Sequence, residues 1–116
     1  MAAPITAAMS GVPFKQQDAQ TSGNGTILAL PPSFRNHTWI ITGAGTVTTG
    51  TIQIEASNDP TDTGVWAAVG ALTTILSATD LMITATGLLN FVRARIVTSV
   101  TGGGNVTVIY EGAKSY

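Results

Sequence analysis

Residues 51–57, Thr-Ile-Gln-Ile-Glu-Ala-Ser, alternate strictly between two kinds of side chain. Ile52, Ile54 and Ala56 face one side of an extended chain, and the polar residues between them face the other. This period of two is typical of a half-buried β-strand. Residues 58–64, Asn-Asp-Pro-Thr-Asp-Thr-Gly, follow as a dense cluster of turn-forming residues. A strand that ends in such a turn predicts a protein built from short antiparallel strands.

The same signals continue to the C-terminus. Residues 91–98 alternate again, with apolar side chains facing inward and Arg93 and Arg95 facing outward. Six further strands are predicted at 26–30, 37–42, 65–69, 72–76, 81–86 and 106–111. Seven to eight short strands spaced roughly 8–12 residues apart predict an all-β domain over residues 26–116, a β-sandwich or a jelly-roll-like fold.

Residues 1–25 have a different composition, rich in Ala, Thr, Gly, Pro, Ser and Gln, and no sustained periodicity. We expect them to form an extended N-terminal arm that lies outside the core and rests on another subunit. Its apolar anchors, and hence our candidate interface residues, are Ile5, Val12 and Phe14, since each can bury a side chain worth about 1.5–3 kcal/mol. This interpretation implies that a chain without residues 1–22 still folds.

Charge is the most unusual feature of the composition. Charged residues make up 9% of the chain, whereas soluble domains have about 25%. We therefore expect other protein to cover much of the surface; a neutral, Thr-rich soluble surface is the alternative. Five basic residues and a net charge of -1 do not predict a nucleic-acid partner.

Membrane association and export are not expected either. The sequence contains neither an apolar run of the ~18–20 residues needed to span a bilayer nor a basic amphipathic helix. Residues 1–14 lack the charged and apolar regions of a secretory signal. We expect synthesis in the cytoplasm without Sec export.

No residue pattern predicts an enzyme. His37 is the single histidine and sits inside a predicted strand, the chain has no cysteine, and no spacing supports a Ser-His-Asp triad. Asp59 and Asp62 could supply oxygens to calcium, but turn residues are the favoured interpretation. We expect no catalytic residue, no metal and no cofactor.

The tryptophans allow two interpretations. Trp39 and Trp66 could form a sugar-stacking platform with Tyr110 and Tyr116, but we favour a place in the core for both tryptophans. On that interpretation Trp66 is buried, and Trp66→Ala costs about 3–5 kcal/mol.

Two segments resemble a known family. Residues 51–66 read Thr-Ile-Gln-Ile-Glu-Ala-Ser-Asn-Asp-Pro-Thr-Asp-Thr-Gly-Val-Trp, and residues 91–108 read Phe-Val-Arg-Ala-Arg-Ile-Val-Thr-Ser-Val-Thr-Gly-Gly-Gly-Asn-Val-Thr-Val. They are similar to the V-x-I-x-x-S-N-D-G-T-x-W turn and the Y-V-R-A-R-I-T-S-x-T-G-G-x-V-T-V hairpin of small tailed-bacteriophage virion proteins. Pro60 replaces a frequent Gly, and 62–64 lengthen the turn. The two segments cover about a third of the chain.

The resemblance implies a structural protein of the virion, made in the host bacterial cytoplasm. We expect a capsid decoration (cement) protein whose partner is the major capsid protein or another virion protein, and which forms a homo-oligomer, with a trimer favoured. The alternatives are a glycan-binding module on a fibre or on the virion surface, and a tail or head-completion protein. Arg93 and Arg95 pair with Glu55 or Glu111, or else contact a neighbouring subunit; these alternatives are left open.

Overall fold

The computed structural model describes residues 5–59, 61 and 64–114. Within these residues the chain forms strands and no helix. The strands are β1 (Ile5–Ala7), β2 (Phe14–Gln20), β3 (Ile27–Ala29), β4 (Phe34–Ala44), β5 (Thr49–Ser57), β6 (Ala67–Thr74), β7 (Asp80–Thr86), β8 (Phe91–Thr101) and β9 (Asn105–Lys114).

The strands form two stacked sheets. The five-stranded sheet has the order β1-β3-β8-β5-β6, and the four-stranded sheet has the order β2-β9-β4-β7. Neighbouring strands are antiparallel except β1 and β3, which run parallel. The predicted all-β sandwich is confirmed. The segments predicted as separate strands at 65–69 and 72–76 are largely one strand, β6.

The core lies between the sheets and contains the inward-facing side of each central strand. In β5 the buried apolar residues are Ile52 and Ile54, and in β8 they are Val92, Ala94, Ile96 and Val100. The period of two therefore selected the correct inward face in both strands. The opposite face of β5 is also buried, because the side chains of Gln53 and Glu55 are covered by their neighbours.

The N-terminal segment is part of the sandwich, which corrects the prediction of a separate arm over 1–25. β1 extends the five-stranded sheet, with Ile5 opposite Ile27. β2 extends the four-stranded sheet, with Phe14 opposite Tyr110. The domain boundary expected near residue 25 is therefore absent from the described part of the chain.

A β-bulge in β2 explains why the sequence did not reveal this strand. Lys15 lies opposite Ile109 and Gln17 lies opposite Val108, so Gln16 is an extra residue in the ladder. The bulge interrupts the alternation and lets two consecutive glutamines, Gln16 and Gln17, become buried. A polar pair without alternation carries no strand signal.

The two glutamines join the sheets through hydrogen bonds. The Gln16 side-chain amide donates to the carbonyls of Val92, at 2.9 Å, and Thr26, at 3.2 Å. The Gln17 amide donates to the carbonyls of Ala94, at 2.8 Å, and Gly23, at 3.1 Å. Since β2 and β8 belong to different sheets, these bonds fasten one edge of the sandwich. The bond from Gln17 also satisfies the Ala94 carbonyl, which lies beyond the short pairing of β3 with β8.

Candidate functional site

Two separate sets of hydrogen bonds hold polar groups between the sheets, one at Trp39 and one at His37. The Trp39 indole N–H donates to Gln16 Oε1 at 2.8 Å, which places Trp39 in the core as predicted. His37 Nε2 lies 3.0 Å from the Gly87 carbonyl, and His37 Nδ1 lies 2.8 Å from the Tyr110 hydroxyl. A carbonyl only accepts, so Nε2 carries the proton and, in the neutral ring, the Tyr110 hydroxyl donates to Nδ1. Both ring nitrogens of His37 are thus hydrogen-bonded within the protein, which gives this residue a structural role.

We expect Tyr110 to make stability depend on pH in the alkaline range. Burial raises the pKa of the Tyr110 phenol, since the phenolate would lose its hydration. The stabilising effect is complete below the ordinary tyrosine pKa of about 10 and is lost as the pH rises beyond it, at no more than about 1.4 kcal/mol per pH unit. Urea unfolding of the protein and of Tyr110→Phe between pH 8 and 11 should show the steeper loss in the unmodified protein. Equal slopes would contradict the assignment.

A charged cluster covers the outer side of the five-stranded sheet. Glu55 lies opposite Arg93 in the β5–β8 register, and its Oε1 accepts from Arg93 Nε at 2.9 Å. Arg95 Nη1 is 3.8 Å from Glu55 Oε2. Glu55 is thus the cross-strand partner of both arginines, while Glu111 lies on the other sheet. The side chain of Arg93 is buried, and that of Arg95 is 45% exposed.

Trp66 lies on this cluster and not in the core, so the prediction that it is buried is wrong. Its indole N–H donates to the Thr61 carbonyl at 2.8 Å, and the guanidinium carbon of Arg93 lies 4.1 Å from its ring centroid. The residue is half-buried. Since Trp39 is fully buried, the two tryptophans do not form the aromatic pair that a sugar platform requires.

One end of the sandwich displays exposed apolar side chains. The odd-numbered strands finish and the even-numbered strands begin at this end, which we name the apolar end and define as residues 8–13, 30–33, 57–59, 61, 64–66 and 87–90. A turn closed by the bond from the Val12 N–H to the Met9 carbonyl exposes both of those side chains. Val65 is 86% exposed and Leu88 is 51% exposed.

A cleft of ≈ 450 Å³ opens at the apolar end between residues 57–59 and 65 on one side and residues 88–90 on the other. Its lining includes the apolar side chains of Val65, Leu88 and Leu89. The amide of Asn90 donates to Asn58 Oδ1 at 2.6 Å and ties the two loops together. The cleft therefore combines apolar side chains with the polar side chains of Ser57, Asn58, Asp59 and Asn90, and one hydrogen bond links its two sides.

The structure separates the predicted interface residues into three places. Val12 is exposed at the apolar end, Phe14 packs partly buried against the core, and Arg93 and Arg95 meet at Glu55. The backbone of Ile5 lies in β1, and the structure does not describe the placement of its side chain. The role of these residues as an interface stays a prediction.

The acidic turn contains internal hydrogen bonds. Asp59 Oδ1 accepts from the backbone N–H and the hydroxyl of Thr61, both at 3.1 Å, as the turn interpretation predicts. Asp62 lies outside the described residues. In the described part of the chain, no cluster of three His, Cys, Asp or Glu side chains is arranged to hold a metal ion. Over the same residues, no helix has the length and apolarity to cross a bilayer.

Comparison with known proteins finds similarity at the level of the solved structures. No protein-family model matches the chain, and no curated protein sequence is significantly similar to it. The crystal structure of SPBc2 prophage-derived protein YomS superposes with a TM-score of 0.61, over 85% of this chain and 88% of that one, with 23% identical residues. The two proteins share the β-sandwich fold across nearly their whole lengths.

Proposed function

We propose that this chain is a non-enzymatic structural protein of a tailed-bacteriophage virion and that it decorates the outer surface of the capsid. Two observations support the viral context. The segments 51–66 and 91–108 resemble virion proteins, and the fold is shared with a prophage-derived protein. The proposed location on the capsid is argued from the features of the molecular surface.

The apolar end carries the proposal of attachment. Met9, Val12, Val65 and Leu88 are large apolar side chains exposed at one end of a domain with few charges. Exposed apolar patches on small soluble domains mark protein contacts. We propose that this end docks on the capsid and that its cleft, beside Val65, Leu88 and Leu89, receives an apolar side chain of the major capsid protein.

The interior supports a structural role over a catalytic one. His37, the only histidine, is held between Tyr110 and Gly87. Glu55 is engaged by Arg93 and Arg95. A catalytic acid or base needs access to a substrate. The side chains of His37 and Glu55 are instead engaged by other groups of the protein.

Binding to capsids lacking a decoration protein tests the proposal. The double variant Val65→Glu with Leu88→Glu should bind capsids of the phage that encodes this protein at least about tenfold more weakly. Burying either carboxylate at the contact is unfavourable, and a loss of about 1.4 kcal/mol in binding free energy corresponds to a factor of ten in affinity. The matched control is Leu76→Glu with Val97→Glu, which changes two exposed apolar residues away from the apolar end. Co-sedimentation measures both. Equal binding by the two double variants would contradict docking through the apolar end.

A further inference from the structure

The sandwich edges differ in how well they are protected against strand pairing. On β2, the exposed Lys15–Asp18 pair, two register shifts and the positive φ of Ala19 disrupt the outer ladder. On β6, the register shifts beside Gly70, whose φ is +74°. Bulges and charges of this kind block the addition of a further strand.

β7 is a regular edge strand without such protection. Its seven residues pair with β4 in one unbroken register, from Asn36 opposite Thr86 to Thr42 opposite Asp80. The strand reads Asp-Leu-Met-Ile-Thr-Ala-Thr, so its one charge lies at its first residue and it has no proline. A long, uncharged, regular edge is a template for another strand.

The hydrogen bonds at both ends of β7 show which backbone groups point outward. The Gly43 N–H donates to the Thr79 carbonyl, and the Gly87 N–H donates to the Arg35 carbonyl. Hydrogen-bonded pairs alternate along an antiparallel ladder, so the odd-numbered residues of β7 bond to β4. The N–H and C=O groups of Asp80, Met82, Thr84 and Thr86 therefore point away from the sheet.

We propose that β7 pairs with β7 of a second copy of this chain, antiparallel about a twofold axis at Ile83. Of the registers that allow these outward groups to pair, this one uses all seven residues. It places Met82 opposite Thr84 of the second copy and Asp80 opposite Thr86 of the second copy. No like charges face each other, and the two four-stranded sheets join into one continuous sheet.

The outer face of the four-stranded sheet fits this arrangement. Ile40 lies opposite Ile109 on one side and Met82 on the other, which forms an apolar row across three strands. The row ends at the edge in Met82, whose side chain is 66% exposed. In the proposed register the two copies of Met82 are diagonal neighbours, within reach of long side chains. The apolar row then continues from one copy into the other.

The area of this edge indicates a moderate interaction. The domain is 21 Å across its shortest axis, and a seven-residue strand is about 23 Å long. With both sheet layers of the edge in contact, the two copies would cover at most about 500 Å² each and about 1,000 Å² in total, near the lower limit for a specific interface. We expect a dimer that forms with increasing concentration, and it is independent of the proposed capsid binding.

A proline substitution tests the use of the outward N–H groups. Thr84→Pro removes one of them without removing a bond to β4, whereas Thr84→Val keeps the N–H and the branched shape. Sedimentation equilibrium should give a mass approaching twice the 11.9 kDa monomer for the unmodified protein and for Thr84→Val. Thr84→Pro should remain monomeric at the same concentrations, with an unchanged circular dichroism spectrum.

A cysteine substitution tests the register, because the natural chain contains no cysteine. Ile83 faces itself across the axis as a non-hydrogen-bonded pair, so Ile83→Cys should form a disulfide-linked dimer on mild oxidation. Ala85→Cys is the matched control, since its two copies would be about 13 Å apart. Four results would each overturn the proposal. They are a monomer at every concentration, a trimer, a dimer that Thr84→Pro does not affect, and cross-linking that is no better at residue 83 than at residue 85.

Discussion

A chain that lacks residues 1–22 is expected to be unfolded. The deletion removes β1 and β2 and with them the side chains of Gln16 and Gln17. The carbonyls of Val92 and Ala94 and the indole N–H of Trp39 lose their partners in or near the core. Each buried polar group left unpaired costs about 1–3 kcal/mol, so three of them approach the whole stability of a small domain, about 5–15 kcal/mol.

Far-UV circular dichroism and a thermal melt measure this outcome. The shortened chain should lack both a β-sheet spectrum and a cooperative transition. A matched control is the deletion of residues 1–4, which leaves every described strand in place. A shortened chain that melts cooperatively would restore the interpretation of residues 1–25 as a dispensable arm.

Trp39→Ala is expected to destabilise the protein by about 3–5 kcal/mol, the range for a large aromatic removed from a core. Trp39 is fully buried between the sheets, and its removal also leaves Gln16 Oε1 without a donor. Trp66→Ala should cost less, about 1–2 kcal/mol, since it removes a half-buried ring and its contact with Arg93. This ranking corrects the expectation that Trp66 fills the core.

Urea unfolding of the two variants measures the difference directly. Each substitution serves as the control for the other, because both remove one tryptophan from the same chain. A larger loss of stability for Trp66→Ala than for Trp39→Ala would mean that Trp66 is a principal core residue after all.

The central strands could be predicted because their inward faces are made only of apolar residues. In β5, β8 and β9 the period of two identifies the buried side, as with Val106, Val108 and Tyr110. β2 could not be found in this way. Its buried residues, Gln16 and Gln17, are polar and consecutive, and they become buried through hydrogen bonds that depend on a bulge and on β8.

The candidate sites depended on information that only the fold provides. The pairing of Arg93 with Glu55 follows from the β5–β8 register, which sequence spacing does not determine. Val65 and Leu88 are residue types that usually lie in a core, and they are exposed because they lie in the loops that connect the strands.

The most direct test of capsid decoration is a cryo-electron microscopy reconstruction of capsids incubated with the protein. We expect added density on the outer surface, fitted by the two-sheet domain, with the apolar end against the capsid. Absence of added density would contradict decoration, and density attached through a sheet face would contradict docking through the apolar end.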